Sequence, residues 1–426
     1  MWNTDLIAEE GGFLSREEIL AALESAAEQM RGKAKKVLLL PPDYTRMHSR
    51  AGMITAFLYK KLSAFAQVDV MPALGTHRPV SEEECSEMFE GAIPYERLIV
   101  HDWRRDVERI GEVPAGFVRE VSEGLMDEPI AVEVNRRLLD PGYDCILSIG
   151  QVVPHEVVGM ANGNKNIFVG CGGSAMINAS HMLGAFYGLE RLMGRDHSPV
   201  RRVFDHAQEH FLRDLPLEYI LTVCTSGGVK GLFLGRERCH FEAAVALSQR
   251  ENIIFPPKPI QKAVVYLEPG EYKSTWLGNK SVYRTRMAIA DGGELLVLAP
   301  GVERFGEDEQ CDGLIRKYGY CGRERVLALC AQEDDLRRNM SAAAHLIHGS
   351  SDGRFRVVYC AGGLSRSEVE GVGFGYAPCE QMLRRYDPAR LKEGFNILPD
   401  GEEIFFISNP AVGLWADREK FNSRRG

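Results

Sequence analysis

Residues 16–42 read REEILAALESAAEQMRGKAKKVLLLPP, and this stretch decides the fold class. Apolar side chains recur at helical intervals over residues 16–31, which predicts a helix. The apolar run from Lys36 to Pro41 that follows fits a buried strand. A helix followed directly by a buried strand predicts a layered α/β domain.

The same alternation continues along the N-terminal half of the chain. The pattern predicts helices at 51–65 and 81–89, and it predicts strands at 68–71, 98–101 and 144–149. Short apolar strands between helices favour a mostly parallel sheet that is covered on both faces.

A proline-rich stretch divides the chain. Three of the four residues at 256–259 are prolines, which block both a helix and a central strand and therefore indicate a linker. Beyond it the pattern restarts, with predicted strands at 263–267, 294–299, 355–360 and 403–408 and predicted helices at 274–290 and within 308–347. We therefore expect two α/β domains with mostly parallel sheets, an N-terminal one over 1–256 and a C-terminal one over 257–400. Residues 401–426 are expected to form a tail that could return to the N-terminal domain.

Composition excludes several classes of function. The 426 residues include 51 Lys+Arg against 60 Asp+Glu, so the formal net charge is −9. A nucleic-acid groove or a polybasic membrane face needs clustered basic residues, so we expect neither partner. No window holds the roughly 18 apolar residues of a membrane span, and the N-terminus lacks the features of a signal peptide, so we expect a cytoplasmic protein. The ten cysteines show no zinc-type spacing and are expected to be buried thiols.

Two polar segments follow predicted strands, where open α/β sheets place ligand sites. The first contains Asp43, Thr45 and Arg46; an Asp and a Thr in such a turn can bind ribose hydroxyls or phosphate, and an Arg can clamp a carboxylate. A turn that only caps the next helix explains the same residues. The second contains His77 after Gly75, and this imidazole is a candidate general acid or base. A solvated or capping loop histidine is the alternative.

The third segment, residues 150–166, reads GQVVPHEVVGMANGNKN and follows the strand predicted at 144–149. It resembles a phosphate-cradling loop with an anchoring or nucleophilic lysine, Lys165. It matches neither GxxxxGK[ST] nor GxGxxG, so it is neither a P-loop nor a Rossmann dinucleotide fingerprint. A simple Gly/Asn-rich turn with a surface lysine is the alternative.

The fourth segment, residues 170–181, reads GCGGSAMINASH. Gly172 and Gly173 suit close approach of the backbone to an anion, and a helix that begins near Ser174 would direct its N-terminus at a phosphate. His181 would lie about two turns into that helix. It is either a packed core histidine or the residue that completes a metal site whose other ligands come from a cofactor.

Together the four motifs resemble the nickel-pincer lactate racemase family over nearly the whole chain. The matching residues, in order, are Asp43-x-Thr-Arg46, Gly75-Thr-His77-Arg, Pro154-His155, Lys165 ten residues later and His181 sixteen after that. The resemblance implies a two-domain protein with its active site in the interdomain cleft.

The resemblance also implies a cofactor, the nickel-pincer nucleotide, which is pyridinium-3,5-bisthiocarboxylic acid mononucleotide with nickel bound through one carbon and two sulfurs. By this resemblance Lys165 tethers the cofactor through a thioamide, and His181 completes a square-planar nickel site. His77 and His155 are the implied acid/base pair, and Arg46 is the implied clamp for the substrate carboxylate.

The remaining candidate cofactor contacts are residues of the same motifs. They are Asp43, Thr45, Gly159, Gly163, Gly172 and Gly173. The cofactor-maturation enzymes are implied partners, and a chain produced without them would lack the cofactor.

The implied reaction inverts the C2 carbon of a small anionic 2-hydroxy acid. Hydride leaves C2 for an electrophilic pyridinium carbon while one histidine takes the hydroxyl proton, which gives a transient 2-keto acid. Hydride then returns after the keto acid rotates. Two histidines are needed because the two enantiomers present their hydroxyls in different directions.

In the second domain the chain departs from the family pattern. The pattern is approximately Lys-Ser-x-Tyr-Gln-x-x-Lys, and residues 273–280 read KSTWLGNK. Lys280 matches and is expected to neutralise the substrate carboxylate with Arg46, although it could also be a helix-face charge. Trp276 and Leu277 replace the Tyr-Gln pair and change the polarity of the pocket. This change allows a 2-hydroxy acid other than lactate, including a sugar acid if Arg284 or Arg286 reaches the pocket.

The leading hypothesis is therefore a cytoplasmic racemase or epimerase of a 2-hydroxy acid. A non-catalytic homologue that binds a nucleotide or a hydroxy acid is the alternative. An ordinary nicotinamide-dependent dehydrogenase is disfavoured, because the dinucleotide fingerprint is missing.

Overall fold

The structure is a computed structural model that describes residues 2–423. The chain divides into two compact units. The first unit comprises the chain up to Leu183 together with Leu192–Asn252, and the second comprises Gly184–Arg191 together with the chain from Ile253.

The part of the chain up to Asn252 alternates strands and helices. Its strands are β1 (Asn3–Ile7), β2 (Lys36–Leu40), β3 (Gln67–Val70), β4 (Val107–Val113), β5 (Ile130–Asn135), β6 (Cys145–Gln151), β7 (Pro154–His155), β8 (Gly159–Met160), β9 (Leu217–Thr225) and β10 (Gly228–Gly235). Its helices are α1 (Arg16–Met30), α2 (Ala51–Leu62), α3 (Glu82–Met88), α4 (Ala115–Val121), α5 (Ser174–Tyr187), α6 (Leu189–Leu192), α7 (Pro199–Phe211) and α8 (Arg238–Asn252).

The stretch at residues 16–42 folds as its pattern predicts. Ser15 and Glu18 form a capping box that starts α1, and the apolar face of the helix is buried. Strand β2 follows, and its residues from Val37 to Leu40 are fully buried. Val37 and Leu39 of β2 pack in the same apolar cluster as α1, whereas the other two belong to the cluster on the other face of the sheet, so β2 anchors both layers of the first unit.

The central sheet of the first unit has the order β1-β10-β9-β6-β2-β3. The neighbours β9, β6, β2 and β3 run parallel, whereas β1 and β10 add antiparallel strands at one side. The chain leaves β2 toward β3 on one side, but β6 and β9 lie on the other side of β2. The carboxyl ends of β2 and β6 therefore form the topological switch point, where such sheets open a crevice.

One predicted strand of the first unit is wrong. Residues 98–101 make only an isolated bridge, between Leu98 and Val70. The chain turns directly afterwards, because the main chain and side chain of Asp102 accept hydrogen bonds from the following amides. The local turn therefore prevents a longer pairing with β3.

The second unit has its own sheet and a layer of helices. Its strands are β11 (Ile253–Ile254), β12 (Ile260–Tyr266), β13 (Ile289–Ala299), β14 (Arg356–Ala361), β15 (Gly375–Tyr376), β16 (Gly394–Ile397), β17 (Glu403–Ile407) and β18 (Leu414–Trp415). Its helices are α9 (Thr275–Gly278), α10 (Lys280–Tyr283), α11 (Glu309–Tyr318), α12 (Arg323–Gln332), α13 (Asp334–Arg338), α14 (Met340–His348), α15 (Arg366–Gly371), α16 (Cys379–Arg385) and α17 (Arg418–Ser423).

The second sheet has the order β15-β14-β13-β12-β17-β16, and every pair except β16 with β17 is parallel. The segment from residue 401 does not form a separate tail, because β17 pairs with β12 within this sheet. The last residues of that predicted tail, 424–426, lie outside the described residues. Both units are thus α/β layers with mostly parallel strands, which confirms the predicted fold class.

The single helix predicted at 274–290 is wrong. Two short helices, α9 and α10, take its place, and β13 already begins at Ile289. Gly278 and Asn279 lie at the junction, and both are residues with low helix propensity. The helical pattern of apolar residues continues through the junction, so it concealed the break.

Two further findings concern the surface and the membrane. Within residues 2–423, no helix is both long and apolar enough to cross a bilayer. Cys239 and Cys321 are exposed, so the prediction that the cysteines are buried is wrong for these two.

Candidate active site

The predicted site residues of the first unit follow three neighbouring parallel strands. Residues 41–46 follow β2, residues 73–77 come shortly after β3, and residues 152–165 follow β6. Carboxyl ends of parallel strands meet at one edge of a sheet, and the switch point between β2 and β6 lies there. The fold therefore brings the first three motifs to the same edge.

Asp43 organises the turn after β2. Its side chain is buried, and one carboxylate oxygen accepts hydrogen bonds from the Thr45 amide at 2.9 Å and the Thr45 hydroxyl at 2.5 Å. The Thr45 hydroxyl in turn accepts a hydrogen bond from Arg46 Nη1 at 2.9 Å. This oxygen caps the 3-10 turn Tyr44–Ser49 and not the helix from Ala51, which has no side-chain cap, so the interpretation as a cap of that helix is wrong. The network instead orients the Arg46 side chain.

The second oxygen of Asp43 faces the second motif. His77 Nδ1 lies 3.1 Å from Asp43 Oδ2. Burial alone would raise the pKa of Asp43, but His77, with Arg46 and Thr45, holds this pKa well below its usual range. His77 Nδ1 and Asp43 Oδ2 form an ion pair whose angles are not those of a hydrogen bond, and the negative charge beside Nδ1 favours the neutral tautomer that is protonated there and keeps a lone pair on Nε2.

The loop around His77 is fixed through its backbone. Ala73 bridges Pro42, and the Gly75 amide donates to the Gly170 carbonyl at 2.9 Å. Gly75 has a φ of +55°, and a Cβ there would lie 3.3 Å from the Val169 carbonyl oxygen. A glycine at position 75 is therefore required by the backbone.

His155 lies at the end of β7, in the hairpin with β8. Its Nδ1 accepts a hydrogen bond from the Val157 amide at 3.1 Å, and Glu156 Oε2 is 3.8 Å from the same nitrogen. Because Nδ1 accepts, the neutral ring carries its proton on Nε2. His155 and His77 therefore present opposite tautomers, one a donor and the other an acceptor at Nε2.

Lys165 immediately precedes a single π-helical turn, Asn166–Gly170. Such turns are rare and occur often at functional sites. Burial, and next the positive charge of Arg46, lower the pKa of Lys165 to about 8, although the carboxylates of Glu156 and Asp43 act in the opposite direction. The side chain is only partly exposed, so the interpretation of Lys165 as a surface charge is wrong.

His181 lies on α5, which begins at Ser174 as predicted. Its Nδ1 is 2.6 Å from the Ile177 carbonyl oxygen, which can only accept. The proton is therefore on Nδ1, and Nε2 keeps its lone pair, the form that binds a metal. Burial, together with the charge of Lys165, lowers the pKa of His181 and favours this neutral form.

Within the described residues, His181 belongs to no group of three or more side chains that could share a metal ion. Within residues 2–423, the one group of three or more His, Cys, Asp or Glu side chains close enough to share an ion is Asp196, His197 and Glu242. It lies apart from His181 in sequence, and Arg238 forms ion pairs with its two carboxylates. The role of His181 as a ligand to a metal that a cofactor carries stays a prediction.

At each of the four glycines predicted to contact the cofactor, the surrounding atoms leave too little room for a side chain. A Cβ at Gly159 would meet the Arg195 carbonyl oxygen at 2.0 Å, and one at Gly163 would meet the Phe241 ring at 3.1 Å. The same atom at Gly172 would lie 1.8 Å from the Phe168 carbonyl oxygen, and at Gly173 it would lie 2.2 Å from Glu133 Oε2. These glycines are required by the fold, and their contact with a cofactor stays a prediction.

The carboxylate of Glu133 lies at the start of α5, which the sequence pattern did not predict. Glu133 Oε2 accepts a hydrogen bond from the Ala175 amide at 3.2 Å. A phosphate was expected at this helix N-terminus, but a carboxylate of the chain itself lies there. Glu133 is about 40 residues away in sequence and has no local signal that would have identified it.

In the second unit, Lys280 is 6% exposed, so the interpretation as a helix-face charge is wrong. Its ammonium lies 4.0 Å from Glu271 Oε1 and 5.4 Å from the centre of the Tyr272 ring. Trp276 stacks on His345 with ring centres 4.3 Å apart. Leu277 is partly exposed beside it.

Trp276 also packs against a small apolar cluster between helices. Its neighbours there are Cys311, Leu314 and Ala342, together with Tyr318. The indole therefore has a packing role within the second unit. Its effect on a substrate stays a prediction.

Arg284 and Arg286 are buried and bound to internal partners. Arg284 Nη1 donates to the Gly413 carbonyl at 3.1 Å. Arg286 donates to Glu190 Oε1 at 3.1 Å, to the Ser350 carbonyl at 2.8 Å and to Asp352 Oδ2 at 2.6 Å. A sugar acid would need a guanidinium that reaches the substrate, and Arg286 does not support this, because each of its three nitrogens already donates to a partner within the second unit.

One comparison with known proteins matches the part of the chain that contains the first-unit candidate residues. Residues 15–190 match the family model of the lactate racemase N-terminal domain. This range contains every site residue predicted in the first unit. None of the curated proteins searched matches the chain.

Two solved structures are similar over almost the full length. One is a protein from Thermotoga maritima determined by structural genomics, with a TM-score of 0.80, 26% identity, and coverage of 96% of this chain and 99% of that one. The other is the lactate racemase apoprotein from Thermoanaerobacterium thermosaccharolyticum, with a TM-score of 0.68, 17% identity, and coverage of 95% and 93%. At this identity the second match shows the shared fold.

Proposed function

Because residues 15–190 match the lactate racemase N-terminal domain, we propose that this protein is a racemase or epimerase that inverts C2 of a 2-hydroxy acid. One arrangement carries the proposal. The Lys165 amine has a pKa lowered to about 8, and its charge also lowers the pKa of His181, whose Nε2 holds a lone pair. An amine that is partly neutral near physiological pH can form an acyl-type bond, and a neutral imidazole can bind nickel.

These two residues would hold the nickel-pincer nucleotide. Lys165 would tether it through a thioamide, and His181 Nε2 would complete the nickel coordination. When bound, the group supplies an electrophilic pyridinium carbon that can take hydride from C2 and return it. The remaining chemistry, which is binding and proton transfer, belongs to side chains of this chain.

The two histidines would divide the proton transfer. His77 has a lone pair on Nε2 and can take the hydroxyl proton, and the Asp43 carboxylate at 3.1 Å stabilises the imidazolium that forms. His155 would donate the proton on Nε2 to a carbonyl oxygen from its imidazolium form, because a neutral ring that lost its single proton would become an imidazolate. The second proton of that form would lie on Nδ1, which accepts from the Val157 amide in this structure. Glu156 Oε2 lies 3.8 Å from Nδ1 and would stabilise the imidazolium, and in the reverse direction of the reaction the roles of the two histidines exchange.

The substrate carboxylate would bind Arg46, whose guanidinium is oriented by Thr45. Lys280 is proposed as a second cation for it. Trp276 and Leu277 stand where the family has a Tyr-Gln pair, which removes one amide donor and one acceptor. We therefore propose a 2-hydroxy acid whose tail differs from the methyl group of lactate.

The test is to produce the chain together with the enzymes that mature the cofactor. We expect stoichiometric nickel and a covalent mass adduct on the peptide that contains Lys165, and neither in a Lys165→Arg variant. Chiral chromatography of a panel of 2-hydroxy acids should then show inversion of at least one. Nickel and adduct without inversion of any panel member would favour a non-catalytic binding protein, and the absence of both would refute the proposal.

A further inference from the structure

Arg201 is a buried residue that the proposed mechanism does not use. It lies in the first part of α7 and is 1% exposed. Its guanidinium donates to the Met160 carbonyl at 2.7 Å and to the Asn162 carbonyl at 3.1 Å, and it also donates to Asn164 Oδ1. All three acceptors belong to the loop that ends at Lys165.

Other side chains of α7 hold the same loop. Ser198, which caps α7 by accepting from the Arg201 amide at 3.0 Å, donates to the Val158 carbonyl at 2.8 Å. Asn164 Nδ2 donates to Asp205 Oδ1 at 2.6 Å. The start of α7 therefore binds the loop at positions 158, 160, 162 and 164, which is every second residue.

The loop is shaped to admit the guanidinium. Gly163 has a φ of +60°, and a Cβ there would lie 3.2 Å from Arg201 Nη1 and 3.1 Å from the Phe241 ring. The guanidinium lies over that ring, 4.5 Å from its centre. An arginine stacked on an aromatic ring and bound to carbonyls suits burial better than a lysine, because its charge is delocalised and its donors are fixed in a plane.

We propose that Arg201 is a positioning residue for Lys165: by binding three loop acceptors at once, it sets the direction in which the Lys165 amine points. The inference rests on the proposed function, since it takes Lys165 as the point of cofactor attachment. Burying a guanidinium is costly unless hydrogen bonds compensate for the lost hydration, and here the hydrogen bonds of its terminal nitrogens go to residues 160–164. Arg201 therefore acts by holding the conformation of that loop.

The test compares Arg201→Lys and Arg201→Gln with Arg202→Gln. Arg202 is the next residue of the same helix, and it is exposed and paired with Glu120 rather than with the loop. Lysine keeps the charge but cannot bridge three acceptors in a plane. We expect both Arg201 variants to exchange amide hydrogens at 159–166 about tenfold faster or more, and the fraction of Lys165 that gains the cofactor adduct to fall about fivefold or more.

The control variant should match the wild type in both measurements. A purely structural role predicts a lower Tm with unchanged loop exchange and unchanged adduct per folded molecule, measured well below the Tm, and that result would overturn the inference. Should the Arg201 variants fail to fold, Asn164→Ala replaces them, because it removes the link between Arg201 and Asp205 without burying an unpaired charge.

The two proposals fail in different ways. If wild-type protein gains no adduct, the proposed function fails, and the exchange measurement still decides whether Arg201 fixes the loop. If wild-type protein gains the adduct and the Arg201 variants gain it equally, the function stands and the inference fails.

Discussion

His77 Nδ1 lies 3.1 Å from Asp43 Oδ2, although the two residues are 34 positions apart and follow different strands. The carboxylate favours the imidazole tautomer that is protonated on Nδ1, and in that tautomer Nε2 can accept a proton. The same carboxylate orients Thr45 and through it Arg46. One buried acid thus connects the candidate base with the candidate substrate clamp.

Replacing Asp43 by Asn should therefore lower the rate of inversion strongly. An amide keeps the size of the side chain but loses the charge that stabilises imidazolium, and an orienting carboxylate of this kind is worth on the order of 10⁴-fold in serine proteases. We expect a loss of about 10²- to 10⁴-fold in kcat, measured by chiral chromatography. Asp140→Asn, which removes a partly exposed pair with Lys36, is the control and should stay near wild-type activity.

The variants His77→Ala and His155→Ala should each abolish inversion while they keep nickel and the adduct on Lys165. The reason is that each ring handles a proton in one direction of the reaction, whereas neither is assigned to the metal. Nickel is measured by elemental analysis and the adduct by peptide mass spectrometry. Full activity in either variant would remove that histidine from the mechanism.

His181→Ala should lose nickel but keep the organic adduct on Lys165. Loss of Nε2 removes the protein ligand, so we expect the nickel content to fall well below one per chain while the tethered organic mass on Lys165 persists. The replacement His181→Gln is a second variant of closer size. Nickel retained at the wild-type level in both variants would contradict the assignment of His181 as a ligand.

The stability of the cofactor-free chain should depend on pH through Lys165. Its folded-state pKa is about 8, below the ordinary value of 10.5, so the charged amine destabilises the fold below pH 8. As the pH rises from about 8 to 10.5 the unfolded state binds more protons, and this contribution to stability increases. Lys165→Met should stabilise the chain at pH 7, by up to about 3 kcal/mol, and by much less at pH 10.5. Denaturant unfolding at several pH values measures this, with Lys258→Met, an exposed lysine, as the control.

The double variant Trp276→Tyr/Leu277→Gln should change substrate preference toward lactate. It restores a donor and an acceptor that the family pattern has at these positions, and a buried polar contact of this type can change relative kcat/KM by about tenfold or more. Trp276→Tyr alone should also lower stability, because the indole stacks on His345. An unchanged order of substrates would show that neither residue contacts the substrate.

The sequence by itself determined the α/β class, most strands and helices, and the positions of the candidate site residues. These features depend on local periodicity, on turn residues at strand ends, and on motif spacing that a family resemblance can match. The match of residues 15–190 to the lactate racemase N-terminal domain agrees with that spacing. Local patterns did not predict the break between α9 and α10. The apolar pattern continues through Gly278 and Asn279, although the helix ends there.

Only the tertiary structure decided the chemical state of the site. The Asp43 carboxylate and the Ile177 carbonyl place protons on Nδ1 of His77 and His181, while the Val157 amide keeps Nδ1 of His155 unprotonated. Glu133 at the start of α5 and Arg201 behind the Lys165 loop come from distant parts of the chain. Hydrogen bonding and burial set tautomers and pKa values, and both depend on which groups folding brings within a few ångströms, which residue order alone does not specify.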